Sequence, residues 1–331
     1  MQTNRSLNIY EQQKRNKWLT LFIILVFIIF FSMLGYGLDV FYLENYIKLF
    51  NNKFTFPIAT VSAFMFSSLL SLHSYYNGAK TVIKSTNAYP SPSTGLKYQM
   101  LNNIIEEMKI ASGLPMPNVY IIPDPDPNAF TTGINPDKSY IAVTEGLLEK
   151  LSREELQAVV AHEMCHIKNY DIRLMTMIAA LVGAIVLLSD FAVRGLRFRG
   201  SNIGTKQSSK RREGGPLMLI LFIVWFVGII LAPLISRLLA MAVSRRREYL
   251  ADASAAELTR NPLALASALE KIEKSAEPTK SIKKGSAHLC IVNPLGRKVN
   301  EMEGLLADLF ATHPPISKRI EVLKQMAYQI Q

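Results

Sequence analysis

Hydrophobic residues gather into four long runs along this chain, and the stretches between them carry helical or alternating rhythms. Trp18 to Gly37 holds no charged residue over twenty positions, enough helix to cross the ~30 Å core of a bilayer. Phe54 to Tyr76 is a second uncharged run, with Pro57 near its start and His73 near its end. Pro216 to Ser236 is a third. Leu174 to Ser189 is shorter: its sixteen residues make ~24 Å of helix, unless the run continues past Asp190 to Val193. Core helices of soluble proteins rarely stay uncharged for twenty residues. The first two runs therefore predict membrane-spanning helices at about 18–37 and 54–76.

Between the runs the pattern turns amphipathic. Leu101, Ile104, Ile105 and Met108 give Leu96 to Ala111 a helical period, ended by Gly113-Leu-Pro115. Ser152 and Glu155 form a capping-box pair ahead of Leu156, Val159 and Val160, so a helix starts there. Asn128 to Ile134 and the β-prone run Ser139 to Val143 flank Asn135-Pro136-Asp137, a turn signal, and predict a hairpin. Ser244 to Leu258 predicts a helix, and Asn300 to Gln331 two short amphipathic helices around a His-Pro-Pro turn. Ser275 to Ala287 predicts a polar surface loop, and no internal repeat is present. The fold class expected is mainly α with a small β-sheet (α+β).

Composition adds location. With 331 residues, 49% apolar and 19% charged, the chain is long enough for about two domains. The runs divide it into a membrane anchor over 1–80 and a domain over 81–331, interrupted by a hydrophobic hairpin at about 174–236. The first run exceeds a signal-peptide core and lacks a small-x-small cleavage site, so it reads as a signal anchor. Arg5, Lys14, Arg15 and Lys17 precede it against Glu11, whereas Asp39 and Glu44 balance Lys48 and Lys53 in the following loop. The positive-inside rule puts the N-terminus in the cytoplasm and, after two crossings, everything from Asn77 onward.

The second pair of runs conflicts with that rule. The loop between them carries Arg194, Arg197, Arg199, Lys206, Lys210, Arg211 and Arg212 against Glu213 alone. Either the hairpin does not cross, or segments already inserted impose its orientation. The net charge of +11 points to anionic lipid headgroups as partners. It does not point to nucleic acid, because no aromatic residues interleave with the basic ones.

His162, Glu163 and His166 form H-E-x-x-H on the helix capped at Ser152. Imidazoles four residues apart share a helix face and can converge on one metal ion, and Glu163 then lies close enough to act on water held there. With five histidines in the chain, chance supplies roughly 0.006 such motifs. A zinc hydrolase outweighs two histidines on a solvated helix face. Cys165 points about 100° away from His166 and reads, like Cys290, as a small apolar filler. A third ligand is needed. Glu248 and Asp252 share a helix face, so one carboxylate can bind metal while the other holds a ligand imidazole. The competing reading is a charged surface helix with Arg245 paired to Glu248.

H-E-x-x-H followed some eighty residues later by E-x-x-x-D resembles the HtpX-type membrane-bound zinc metalloproteases, gluzincins related to the CAAX prenyl proteases. The resemblance spans nearly the whole chain. It implies a zincin-like metalloprotease domain attached to transmembrane helices, with one zinc ion on His162, His166 and Glu248. It further implies Glu163 as general base and Asp252 as support for a ligand. Thr312-His313-Pro314-Pro315 and Arg319 are similar to a His…Arg pair beside the cleft of the relatives, which implies oxyanion or substrate contacts for His313 and Arg319. The competing reading of that segment is a helix N-terminus with Arg319 solvated. Zinc proteases of this class hold an extended peptide on an edge strand, which marks Asn128, Ala129 and Phe130 as substrate-binding candidates. A purely structural hairpin is the alternative.

The resemblance implies a multi-pass protein of the bacterial cytoplasmic membrane that cleaves misfolded or damaged membrane proteins in quality control. A processing protease for particular membrane-attached peptides is the alternative within that chemistry, and a non-catalytic membrane adaptor the alternative outside it. Nothing in the sequence fixes an oligomeric state. If the zinc helix ran on unbroken from His166 to Leu174, both zinc-binding limbs would grow from the ends of the hydrophobic hairpin, the first over ~12 Å.

Overall fold

The computed structural model describes residues 9–40, 57–183, 185, 245–275, 281–282, 289–292 and 314–330. The 216–236 run, the basic loop before it, most of the 38–53 loop, the first of the two short helices expected over 300–331 and His313 lie outside the described residues. So does most of the 275–287 loop.

Helices α1 (Ile9–Leu38) and α2 (Ile58–Ser85) contain the first two apolar runs, and both are long and apolar enough to cross a membrane. Their burial is inverted relative to a soluble helix. Trp18, Leu21, Phe22, Leu25, Met33, Leu69 and Leu72 are exposed, whereas Ser67, Ser71 and Ser74 are buried. Lipid-facing helices show this pattern, because small polar residues let neighbours approach while apolar ones meet hydrocarbon. At Gly35 of α1 an added Cβ would lie 2.5 Å from the Ala59 carbonyl oxygen, so only glycine allows that approach. Asp39 accepts the backbone N–H groups of Ala59 and Thr60 at 2.9 and 2.8 Å, satisfying orphan donors in the first turn of α2.

Helix α3 (Leu96–Ser112) buries Leu101, Ile104, Ile105 and Met108, the expected stripe, and stops at Gly113 in the left-handed conformation (φ 70°). The sheet has strands β1 (Tyr89–Pro90), β2 (Asn118–Ile122), β3 (Ala129–Gly133) and β4 (Ser139–Thr144), in the order β1-β2-β4-β3. The hairpin β3–β4 is antiparallel with Phe130 opposite Ala142, and a 3-10 turn at Pro136–Lys138 closes it, capped by Asn135. Strand β4 inserts beside β2 in parallel, which leaves β3 at the sheet edge.

Helix α4 (Glu145–Lys150) leads into α5 (Arg153–Lys168), which carries H-E-x-x-H. Twelve of its sixteen residues are buried, so α5 is surrounded on all sides. The packing partners are α3, β3, α7 (Arg245–Thr259) and α8 (Pro262–Lys274), while α9 (Ile316–Ile330) lies on α7 and α8. The unbroken helix from His166 to Leu174 is not found. Helix α5 ends at Lys168, Tyr170 takes a left-handed φ of 58°, and a new helix, α6 (residues 171–183), begins at Asp171.

The described residues of Met1–Thr20, Ser74–Ala180 and Arg237–Gln331 make one compact unit, and those of Leu21–His73 and Leu181–Ser236 a second. The site described next lies within the first.

Candidate metal centre

The capping box at the start of α5 is formed. Ser152 Oγ accepts the Glu155 N–H, and Glu155 Oε2 accepts the Ser152 N–H at 2.8 Å. From that start, four-residue spacing sets His162 and His166 on one face, with ring centroids 4.8 Å apart and planes at 89°. Their Nε2 atoms are 3.2 Å apart. Glu248 arrives from the first turn of α7, with Oε2 3.7 Å from His162 Nε2 and Oε1 3.6 Å from His166 Nε2. All three side chains are buried.

The geometry fits one metal ion. Bonds of 2.0–2.1 Å at tetrahedral angles hold ligand atoms about 3.3–3.4 Å apart. The observed separations of 3.2, 3.6 and 3.7 Å bracket that value. Two imidazoles and one carboxylate also match a catalytic site that keeps its fourth position open.

Each imidazole is held from behind. His162 Nδ1 lies 3.0 Å from Asp252 Oδ1, and His166 Nδ1 lies 3.2 Å from Asp171 Oδ2. Burial pulls the His166 imidazolium towards neutrality. The Asp171 hydrogen bond and the charges of Glu248, Asp171 and Glu163 more than reverse this, placing its pKa at about 9. The field therefore favours positive charge where the imidazoles meet, which a bound cation would supply. Glu163 is buried and accepts a 2.9 Å hydrogen bond from the Thr131 hydroxyl. Burial pushes its carboxyl up, against the opposing pull of His162, His166 and Thr131.

Arg319 is fully buried, not solvated. Its Nε and Nη2 donate to the two oxygens of Asp252 at 2.8 and 2.7 Å, and Nη1 donates to the Ile291 carbonyl at 2.9 Å. Sequence expectation gave it an oxyanion or substrate contact; in the structure it braces Asp252, and its Nη1 also lies 3.4 Å from Glu248 Oε2. Its companion in that expectation, His313, lies outside the described residues.

Ala129 and Phe130 sit on the edge strand, with Asn128 just before it, as the hairpin expectation had it, but that edge is covered locally. Ile291 N–H donates to Ala129 O at 3.0 Å, Asn128 Nδ2 donates to Val292 O at 3.1 Å, and Phe130 bridges to Cys290. Cys165 is buried in the core beside the metal face, and burial pushes its thiol up to about 12. Neither cysteine is in a disulfide.

Sequence reasoning missed Thr131, Asp171 and Arg247, whose Nη1 lies 3.9 Å from Asp171 Oδ1. Thr131 lay inside the hairpin already marked. Asp171 was hidden by the assumption of an unbroken helix, on which it would point away from His166.

A family model described as Peptidase family M48 matches residues 96–327. A Protease HtpX homolog from Listeria monocytogenes serotype 4a is 42% identical over 320 residues, covering 96% of this chain and 100% of its own. Another, from Dictyoglomus thermophilum, is 39% identical over 318 residues, covering 96% and 93%. A crystal structure of S. mikatae Ste24p aligns at 21% identity and a TM-score of 0.44, covering 92% of this chain and 66% of that one.

Proposed function

The chain belongs to peptidase family M48, as a membrane metalloprotease of the HtpX kind, and from that premise we propose how its own residues carry the reaction and where. Zinc is the ion that the donor set suits, one per chain, held by His162, His166 and Glu248. When bound, it polarises a peptide carbonyl and lowers the pKa of water towards ~7. Glu163, raised by burial and steadied by Thr131, takes the proton of the attacking water and delivers it to the leaving amine. Asp252 fixes the tautomer of His162, with Arg319 behind it. His313 contributes to the oxyanion or to substrate, and an extended peptide lies along Asn128, Ala129 and Phe130.

In this reading residues 1–80 anchor a zinc metalloprotease domain over 81–331, which the 174–236 hairpin interrupts. The protein is multi-pass in a bacterial cytoplasmic membrane, with the N-terminus and the metal centre facing the cytoplasm. Lys14, Arg15 and Lys17 beside the first apolar run support that orientation. Anionic lipids are its surroundings, and misfolded or damaged membrane proteins its substrates, in a quality-control role.

One observation carries the chemistry: a buried carboxylate, Glu163, beside three buried metal-ligating groups on two helices. The test is a Glu163→Gln protein, full length in detergent with zinc, against an unfolded test protein. Loss of cleavage with zinc binding retained is expected, and undiminished cleavage would sink the mechanism. A wild type that binds zinc and cleaves nothing would favour the adaptor reading.

A further inference from the structure

The break between α5 and α6 does more than end a helix. In an unbroken helix Asp171, five residues after His166, would point about 140° away from it. The left-handed Tyr170 turns the chain so that Asp171 Oδ2 reaches His166 Nδ1 at 3.2 Å. A bulky residue in that region is costly and persists only where its surroundings hold it.

Those surroundings come from the N-terminal helix. Asn16 Nδ2 donates to Asp171 Oδ1 at 2.7 Å and lies 3.2 Å from Asn169 O, while Gln13 Nε2 donates to Lys168 O at 3.2 Å. Carbonyls at a helix C-terminus have no partner within their own helix, and side chains of α1 supply one here. Lys17 stands 5.8 Å from the centre of the Tyr170 ring. Asn16 and Asp171 are both buried, at 3% and 0% exposure, so the hydrogen bond between them is shielded from bulk water. Arg247 Nη1 sits 3.9 Å from Asp171 Oδ1 and offsets its charge.

We infer that Asp171 is a positioning residue for His166 and that Asn16 fixes Asp171, so the first turns of the N-terminal apolar helix complete the metal centre. This rests on the reading of His166 as a metal ligand. With one oxygen pinned by Asn16, the other presents a fixed acceptor to Nδ1–H, and His166 Nε2 stays aimed at His162 and Glu248. Without Asn16 the carboxylate can rotate, and the imidazole loses its orientation. The helix that enters the membrane is then also a support of the zinc site.

The experiment measures zinc affinity of the full-length protein in detergent, by competition with a chromophoric chelator, and the visible spectrum after cobalt substitution. Asp171→Ala is expected to lose roughly ten- to a hundredfold in affinity, the range for partners of ligand histidines. Asn16→Ala should lose less, and Asn16→Asp more than Asn16→Ala, because it keeps the shape but sets a second carboxylate against Asp171. The cobalt bands should shift in all three. Thr20→Val is the control: it is equally buried on α1, and its hydroxyl donates only to Asn16 O of its own helix. Unchanged affinity and spectrum in Asn16→Ala, or equal losses in Thr20→Val, would overturn the inference. A wild type that binds no metal would instead overturn the reading of the site itself.

Discussion

Asp252 Oδ1 lies 3.0 Å from His162 Nδ1, on the opposite side of the imidazole from Glu248. The same oxygen accepts Arg319 Nη2 at 2.7 Å. The His162 imidazole, a carboxylate and a guanidinium are thus joined in one buried line, drawn from α5, α7 and α9. The line explains how a fully buried arginine keeps its charge. Burial alone would lower the Arg319 pKa, but Asp252, Glu248 and Glu163 raise it, so the charge is kept.

Removing that charge should act on the metal before it acts on the reaction. In Arg319→Ala, Asp252 is left buried without its bidentate partner, a loss of about 3–5 kcal/mol for broken buried pairs. Lower thermal stability and weaker zinc binding are expected together. If Arg319 served the oxyanion instead, kcat would fall while zinc affinity, measured by chelator competition, stayed at the wild-type value.

Metal and fold should be coupled. Two of the candidate ligands lie on α5 and the third on α7, so an ion bound there only by the folded protein would stabilise their packing. At a thousandfold excess over Kd this linkage is worth about 4 kcal/mol. A chelator should abolish cleavage and lower Tm, and added zinc should restore both. In Glu248→Ala the chelator should no longer move Tm. An equal Tm shift in that variant would remove Glu248 from the ligand set.

The sequence made some features legible because they are local. A capping box, a four-residue repeat and a turn signal each act within a few residues, so α5, the His162–His166 face and the β3–β4 hairpin could be read directly. The apolar stripe of α3 and its stop at Gly113 belong to the same class. Strand β2, by contrast, has its place only because β4 inserts beside it, and no local pattern encodes that pairing. Asp171 escaped for a related reason. Its role depends on one left-handed residue, Tyr170, and on a contact 155 positions away in Asn16. Arg319 was marked only through the resemblance, because an arginine after a helix start reads as solvated unless the facing carboxylate is known.

Acid should weaken the α5–α8 contact. Glu155 Oε1 and Oε2 accept the Ser267 hydroxyl and the Lys271 ammonium at 2.6 and 2.8 Å. Burial pushes its carboxyl up, but Lys271, Ser267 and the Ser152 N–H outweigh it and hold the group below its ordinary 4.5. The unfolded chain therefore takes up this proton first as pH falls. The contribution is complete above about pH 4.5 and is lost as pH drops through the folded value. Glu155→Gln should be less stable at pH 7, by about 1–3 kcal/mol. It should also show a shallower loss of denaturant stability below pH 4.5. Parallel pH curves for the two proteins would exclude this carboxylate as the acid-sensitive group.

The outer edge of β3 raises the question of what a substrate has to displace. Residues 290–292 occupy backbone groups of Ala129 and Phe130 and the side chain of Asn128, and a strand edge pairs with one partner at a time. If those three residues hold the substrate main chain, the resident segment competes for the same groups. Ile291→Pro deletes the N–H that donates to Ala129 O yet keeps the carbonyl that accepts from Arg319. Ile291→Val keeps both and controls for lost packing. For an unstructured peptide the proline variant should lower KM roughly two- to tenfold, the worth of about one net hydrogen bond, with kcat little changed. A raised KM in the proline variant alone would mean that 290–292 is a fixed wall of the groove, and that substrate pairs elsewhere.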